Sequence, residues 1–186
     1  MNTLVAVRKF FSYAKRNGLE SALCAARERR EDLRLPYQYE PPSEKTLSSQ
    51  RMRYREIASS GEMLTFSILV PLYETPPRDL KEMIASVRNQ TYENFELILA
   101  DASKEPLQHL VEEAAEGDKR VHYLRLSRNN GIAENTNAAL LMASGDYACL
   151  LDHDDLLTPD ALYEMAREIG AHAGEEVVLL YSDEDK

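Results

Sequence analysis

The chain has 186 residues, 44% of them hydrophobic, with 22 Lys and Arg against 32 Asp and Glu for a net charge of -10. That is enough apolar material for a packed core and excludes wholesale disorder. The acidic balance argues against a nucleic-acid partner, and no run of eighteen apolar residues offers a membrane span.

The first 60 residues carry 12 basic and 7 acidic side chains, a net of +5, whereas residues 61–186 carry 10 and 25, a net of -15. This sign reversal sets an expected boundary near Gly61. Upstream of it, Leu4, Val7, Phe11 and Ala14, then Leu19, Ala22, Leu23 and Ala26, have helical spacing, with Asn17-Gly18 as a turn between them. Leu35 to Ser49 contains Pro36, Pro41 and Pro42 and reads as a linker or extended arm. Residues 1–60 are thus expected to be a basic helical appendage and linker. It could dock on the acidic part, join another domain, or touch an anionic membrane surface peripherally. Cys24 and Cys149 are too few for a disulfide framework, and no secretory signal is evident, so a cytoplasmic location is expected.

From Gly61 onward, strands alternate with helices. Phe66–Pro71 is a short apolar run, followed by Leu80, Met83, Ile84 and Val87 at helical spacing. Phe95–Ala100 is a second strand, and Leu107, Leu110, Val111 and Ala114 form a second helical face. Val121–Leu126 is a third strand, Ile132–Ala143 a helix, and Tyr147–Leu151 a fourth strand. Leu162, Met165, Ala166 and Ile169 mark another helix and Val177–Tyr181 a fifth strand. Buried strands separated by helices imply an α/β fold with a doubly wound, mostly parallel sheet. Ligands of such sheets bind beyond the carboxyl ends of the strands.

Those ends carry Pro71, Leu72, Tyr73 and Glu74; Asp101; Asn129, Asn130 and Gly131; Asp152-His153-Asp154-Asp155; and Ser182-Asp183-Glu184-Asp185. No glycine-rich dinucleotide loop or P-loop follows the first strand. A rim of carboxylates can hold a phosphate through a divalent cation, since Mg²⁺ and Mn²⁺ take one or two carboxylates plus phosphate oxygens. His153 is expected to be structural.

The segments SILVPLYE, SVRNQTYENFELILADAS and NNGIAENTNAALLMASGDYACLLDHDD occur in the order and spacing of a known family. From about Thr65 to Lys186 the chain resembles the nucleotide-binding half of a family-2 glycosyltransferase of GT-A fold. The resemblance implies inverting sugar transfer from a nucleoside-diphosphate sugar of UDP, dTDP or GDP type to a glycan or lipid-linked acceptor, in surface polysaccharide synthesis. It implies Mn²⁺ or Mg²⁺, with Asp154 as direct ligand and Asp152 beside it, facing the ribose or a metal-bound water. It places Pro71, Tyr73 and Glu74 at the nucleotide, with Tyr73 against the base, and gives Asp101 a hydrogen bond from a base N–H. It gives Asn129, Gly131 and Asn137 a part in shaping the nucleotide loop.

The chain departs from the pattern twice. Glu74 stands where the family usually has Asn, and Asp101-Ala102-Ser103 where it usually has Asp-Asp-Gly. The catalytic base is expected beyond Lys186, which would make residues 61–186 an incomplete catalytic domain, inactive alone and prone to self-association. A non-catalytic nucleotide-sugar-binding module and an unrelated metal-binding α/β domain remain open alternatives.

Overall fold

The computed structural model describes residues 13–15, 18–23, 40–60, 63–172, 177, 179 and 180. The chain divides into two compact units, one of residues 1–40 with 181–186 and one of Pro41–Leu180. In the first, residues 13–15 and 19–23 are helical and Gly18 between them has φ +87°, a left-handed value that suits the expected turn. Residues 1–12 and 24–39, about half of the expected basic appendage, lie outside the described residues.

The second unit opens with α1, Glu44–Ser60. The expected extended arm is therefore helical from Glu44. The Ser43 hydroxyl explains the start: its Oγ accepts from the Thr46 N–H at 3.2 Å, and its carbonyl accepts from Leu47 N at 3.0 Å. This helix belongs to the same compact unit as the sheet, so the charge reversal at Gly61 falls within that unit.

The sheet has four parallel strands, β1 Phe66–Leu72, β2 Phe95–Asp101, β3 Val121–Arg125 and β4 Tyr147–Leu150, in the order β3-β2-β1-β4. Helices α2 Pro77–Arg88, α3 Gln108–Ala115, α4 Ile132–Leu140 and α5 Ala161–Ala171 connect and follow them. Phe66, Ile68, Val70 and Leu72 alternate along β1 and pack in one cluster with Leu80, Met83, Ile84 and Val87 of α2, Val111 of α3 and Leu162 of α5. Leu69 points the other way, into a smaller cluster with Ile98, Ala100 and Ala139 of α4. Both sheet faces are thus covered, as strands apolar on both sides require. Pro77 occupies the first turn of α2, where a missing N–H costs nothing.

Two sequence expectations change. Helix α4 stops at Leu140, three residues before the expected end at Ala143, and it buries Asn135 and Ala139 while Ile132 and Leu140 stay exposed. The fifth strand is not formed at Val177, Leu179 and Leu180; the Val177 carbonyl accepts instead from the Tyr147 hydroxyl at 3.2 Å. A strand needs a neighbour's backbone, and this contact is to a side chain. No helix among the described residues is long and apolar enough to cross a membrane.

The strand order positions the site. Chain progression runs outward from β1 to β2 and β3 on one side and to β4 on the other, so the switch point lies between β1 and β4. Their pairing ends at Leu69–Leu150, while β1 continues alongside β2 to Leu72–Asp101. Pro71 sits past that end. Its N atom faces the side where the ladder has stopped, so its missing donor is tolerated in a central strand. The two strands part there and open a cleft.

Candidate functional site at the strand switch point

A cleft of about 250 Å³ lies at this point, lined by Pro71, Leu72 and Tyr73 after β1, Asn129, Gly131, Ile132 and Asn135 before and within α4, and Asp152, His153 and Asp154 after β4. The structure therefore brings together Pro71, Tyr73, Asn129, Gly131, Asp152 and Asp154 from three separate stretches of sequence. Tyr73 is 42% exposed and lines the cleft. Leu72 beneath it is fully buried and anchors the turn.

The Asn129–Gly131 loop is held by side chains. Asn129 Oδ1 accepts from Gly131 N at 2.9 Å and from Asn135 Nδ2 at 2.9 Å, and Asn135 Oδ1 accepts from Asn130 N at 3.3 Å. Gly131 has φ +92° at the N-cap of α4, a value costly for any residue with a Cβ. Asn135 is 3% exposed and shapes the loop through its bonds with Asn129 and Asn130. Asn137 is exposed and lines an adjoining, mainly apolar groove with Leu69, Leu140 and Leu150, which shares Pro71, Ile132 and Asp152 with the cleft. Two residues of helix separate the positions, and a turn of 100° per residue sends them to different faces. The reach back from Asn135 to Asn129 is legible only once the helix start is known.

Asp101 does not join the cleft. It is 0% exposed. Its Oδ1 accepts from Ser103 N at 2.8 Å, and its Oδ2 from Leu107 N at 2.9 Å, Tyr123 Oη at 2.6 Å and Arg125 Nη1 at 3.1 Å. Burial alone would raise its pKa; the hydrogen bonds from Leu107, Tyr123 and Ser103 outweigh burial and hold the carboxyl below its ordinary value. Burial, reinforced by this carboxylate, pushes the Tyr123 hydroxyl up to about 12. A carboxylate so surrounded ties the β2–α3 loop to β3, and the structure places Asp101 outside the cleft lining. Glu74 is likewise turned to structure. At φ +52° it accepts from Lys104 N through Oε1 at 2.8 Å, and its own N–H donates to Ser103 Oγ at 2.8 Å.

The acidic turn leaves β4 after Leu151, whose N–H donates to Leu69 O at 3.2 Å, and is closed by Asp155 N donating to Asp152 O at 3.2 Å. Asp152 is exposed and the Asp154 side chain is 63% exposed. His153 turns into the cleft lining, its Nδ1 buried without a hydrogen bond and 3.8 Å from Asp154 Oδ1. No group of three or more His, Cys, Asp or Glu among the described residues is arranged to hold a metal by itself. Two exposed carboxylates on one cleft still fit a hard divalent cation that completes its shell with phosphate oxygens and water. The Ser182–Asp185 run lies outside the described residues.

Comparison with known proteins adds a family. The model described as glycosyl transferase family 2 matches residues 67–181. An uncharacterized protein of Sinorhizobium fredii is 43% identical over 122 residues, covering 64% of this chain and 13% of the relative. The O-antigen biosynthesis protein RfbC of Myxococcus xanthus is 36% identical over 121 residues, covering 64% of this chain and 9% of the relative. The chain thus spans about a tenth of the length of these two relatives. Among solved structures, S. aureus TarS residues 1-349 in complex with UDP aligns with a TM-score of 0.54 and 26% identity, covering 59% of this chain and 33% of that one. The same parallel α/β sheet is shared with TarS solved at greater length, again at a TM-score of 0.54.

Proposed function

We propose, for a chain that belongs to glycosyl transferase family 2, that the switch-point cleft binds the nucleoside-diphosphate part of a sugar donor. The observation that carries this is the convergence of Tyr73, Asp152 and Asp154 on one cleft at the carboxyl ends of β1 and β4. In this reading the exposed Tyr73 ring takes the base, which every nucleotide can satisfy through its π face. Asp152 accepts from the ribose hydroxyls. The Asn129–Asn135 pair holds the loop opposite, so that the N-terminus of α4, with its partial positive charge, faces the cleft. A divalent cation held by Asp154, with Asp152 beside it, would neutralise charge on the departing diphosphate. The UDP complex of TarS supports a uridine donor as the first to try.

The reaction we infer is inverting transfer to a glycan acceptor in surface polysaccharide assembly, a reading supported by the kinship with the O-antigen biosynthesis protein. The carboxylate that takes the acceptor's proton is assigned to none of the residues described. The test is calorimetric titration of the chain with UDP and GDP, each with and without Mn²⁺. Metal-dependent binding that is lost in Asp154→Ala and weakened in Tyr73→Ala supports the site. Absence of binding to either nucleotide under both conditions refutes it.

A further inference from the structure

We propose that Gln50, on the helix upstream of the family-matched residues, is a positioning residue for the acidic turn, acting through Thr91. The inference rests on the donor-site reading for its functional consequence, and on hydrogen bonds for its structure.

Asp152–Asp155 is a short turn closed by the Asp155 N–Asp152 O bond, and its placement depends on the segments at its two ends. The upstream end is fixed by β4. The downstream end, residues 157–162, is fixed by a belt at the C-terminus of α2. Leu157 N donates to Ser86 Oγ at 3.3 Å, Gln90 Nε2 donates to Thr158 O at 2.7 Å, Thr91 N donates to Pro159 O at 2.8 Å, and Leu162 N donates to Gln90 Oε1 at 3.1 Å. Gln90 and Thr91 are 3% and 0% exposed. The Gln-Thr-Tyr stretch of the sequence is therefore a clamp on the segment that carries the acidic turn into α5.

Helix α1 braces that clamp. Gln50 is 6% exposed and both ends of its amide are used: Oε1 accepts from Thr91 Oγ1 at 2.9 Å, and Nε2 donates to Glu164 Oε1 of α5 at 3.1 Å. One turn along, Tyr54 meets Tyr92 edge-on with ring centroids 5.1 Å apart. A buried amide is worth keeping only where both of its halves are satisfied, and these partners lie on the two elements whose separation defines the end of the turn. Removing the amide leaves the Thr91 hydroxyl and Glu164 to find other partners, and frees α5 to shift against the belt. A shift of about 1 Å in a site built from exposed side chains is expressed as lost ligand affinity.

The experiment uses the full chain, in Gln50→Met, which keeps the length and removes the amide, in Thr91→Val, and in Thr91→Ser, which keeps the hydroxyl. Val111→Ala, in α3 and away from the cleft, serves as a control of comparable thermal stability. Hydrogen exchange is measured without nucleotide, and UDP affinity with Mn²⁺ at a temperature where every variant is folded. The expected result in Gln50→Met and Thr91→Val is exchange at the Leu157 and Leu162 amides faster by about tenfold, the equivalent of one net hydrogen bond, with β2 amides unchanged. UDP binding weakens roughly three- to tenfold in both, and Thr91→Ser restores both measurements. Uniform acceleration across all amides, matching that of Val111→Ala, overturns the clamp. Local acceleration with unchanged UDP affinity overturns its positioning role. A wild-type chain that binds no nucleotide refutes the donor site instead, and the exchange comparison still decides the clamp.

Discussion

Replacing Asp101 by asparagine separates a structural carboxylate from a nucleotide-binding one. The amide can sit two ways. With its oxygen at the Oδ2 position it keeps acceptors for Leu107 N, Tyr123 Oη and Arg125, while its NH₂ opposes the Ser103 N–H that now lies 2.8 Å from Oδ1. The reverse orientation strands Leu107 N and Arg125 and costs more. In the cheaper orientation one buried N–H goes unsatisfied, about 1–3 kcal/mol, and bonds from Tyr123 and Arg125 lose the strength that an ionised acceptor lends them. The Arg125 part is discounted, because its side chain is 37% exposed. The expected loss is about 2–4 kcal/mol in urea unfolding at neutral pH. The pH dependence carries a definite sign. The folded-state pKa of Asp101 is depressed, so its contribution is present above the unfolded carboxyl value of about 4 and is lost as pH falls through the folded value. Wild type and Asp101→Asn should therefore converge in acid. A variant that keeps wild-type stability and instead loses UDP affinity would refute this reasoning and return Asp101 to the base.

Three further outcomes follow from other sites. A Cβ added at Gly145 would lie 2.6 Å from Thr65 O and 2.7 Å from Ser67 Oγ, so Gly145→Ala should cost about 2–3 kcal/mol; an unchanged melting temperature would show that the 144–146 turn gives way freely. Burial pushes the Cys149 thiol up to about 11, so in a Cys24→Ser background it should resist Ellman's reagent at pH 8 and react on unfolding in urea; rapid labelling of the folded chain would contradict its burial. The Arg120 side chain hydrogen-bonds Asp118 and lowers its pKa to about 2, so Asp118→Ala should cost about 1–2 kcal/mol at neutral pH, a difference that shrinks below about pH 4 and is lost as pH falls through about 2, read by the same urea titrations.

The strands and most helices were legible because their signals are local. Leu80, Met83, Ile84 and Val87 are the residues that α2 buries, and the period that reveals them depends on the helix alone. Tyr73, Asp152 and Asp154 were legible as strand-end residues for the same reason: a parallel sheet puts all such ends on one rim. Asp101 looked identical to them in sequence. What separates it is Tyr123 and Arg125, which arrive from β3 through the Asp101–Arg125 register. Asn135 and Gln50 were invisible because a polar residue in a helix acquires meaning only from what another element presents to it.

The sequence by itself determined the alternation of strand and helix, the acidic rim and the family resemblance, since each is carried by residue types at short spacings. Only the tertiary structure decided which rim carboxylate is spent on the fold and which is left facing the cleft. It also placed a helix from the basic N-terminal stretch against the scaffold of the site. The physical reason is that a carboxylate's role is set by the donors around it, and those donors are brought by strand order and helix packing from as far as 114 residues away, as Gln50 and Glu164 are, beyond the reach of any local pattern.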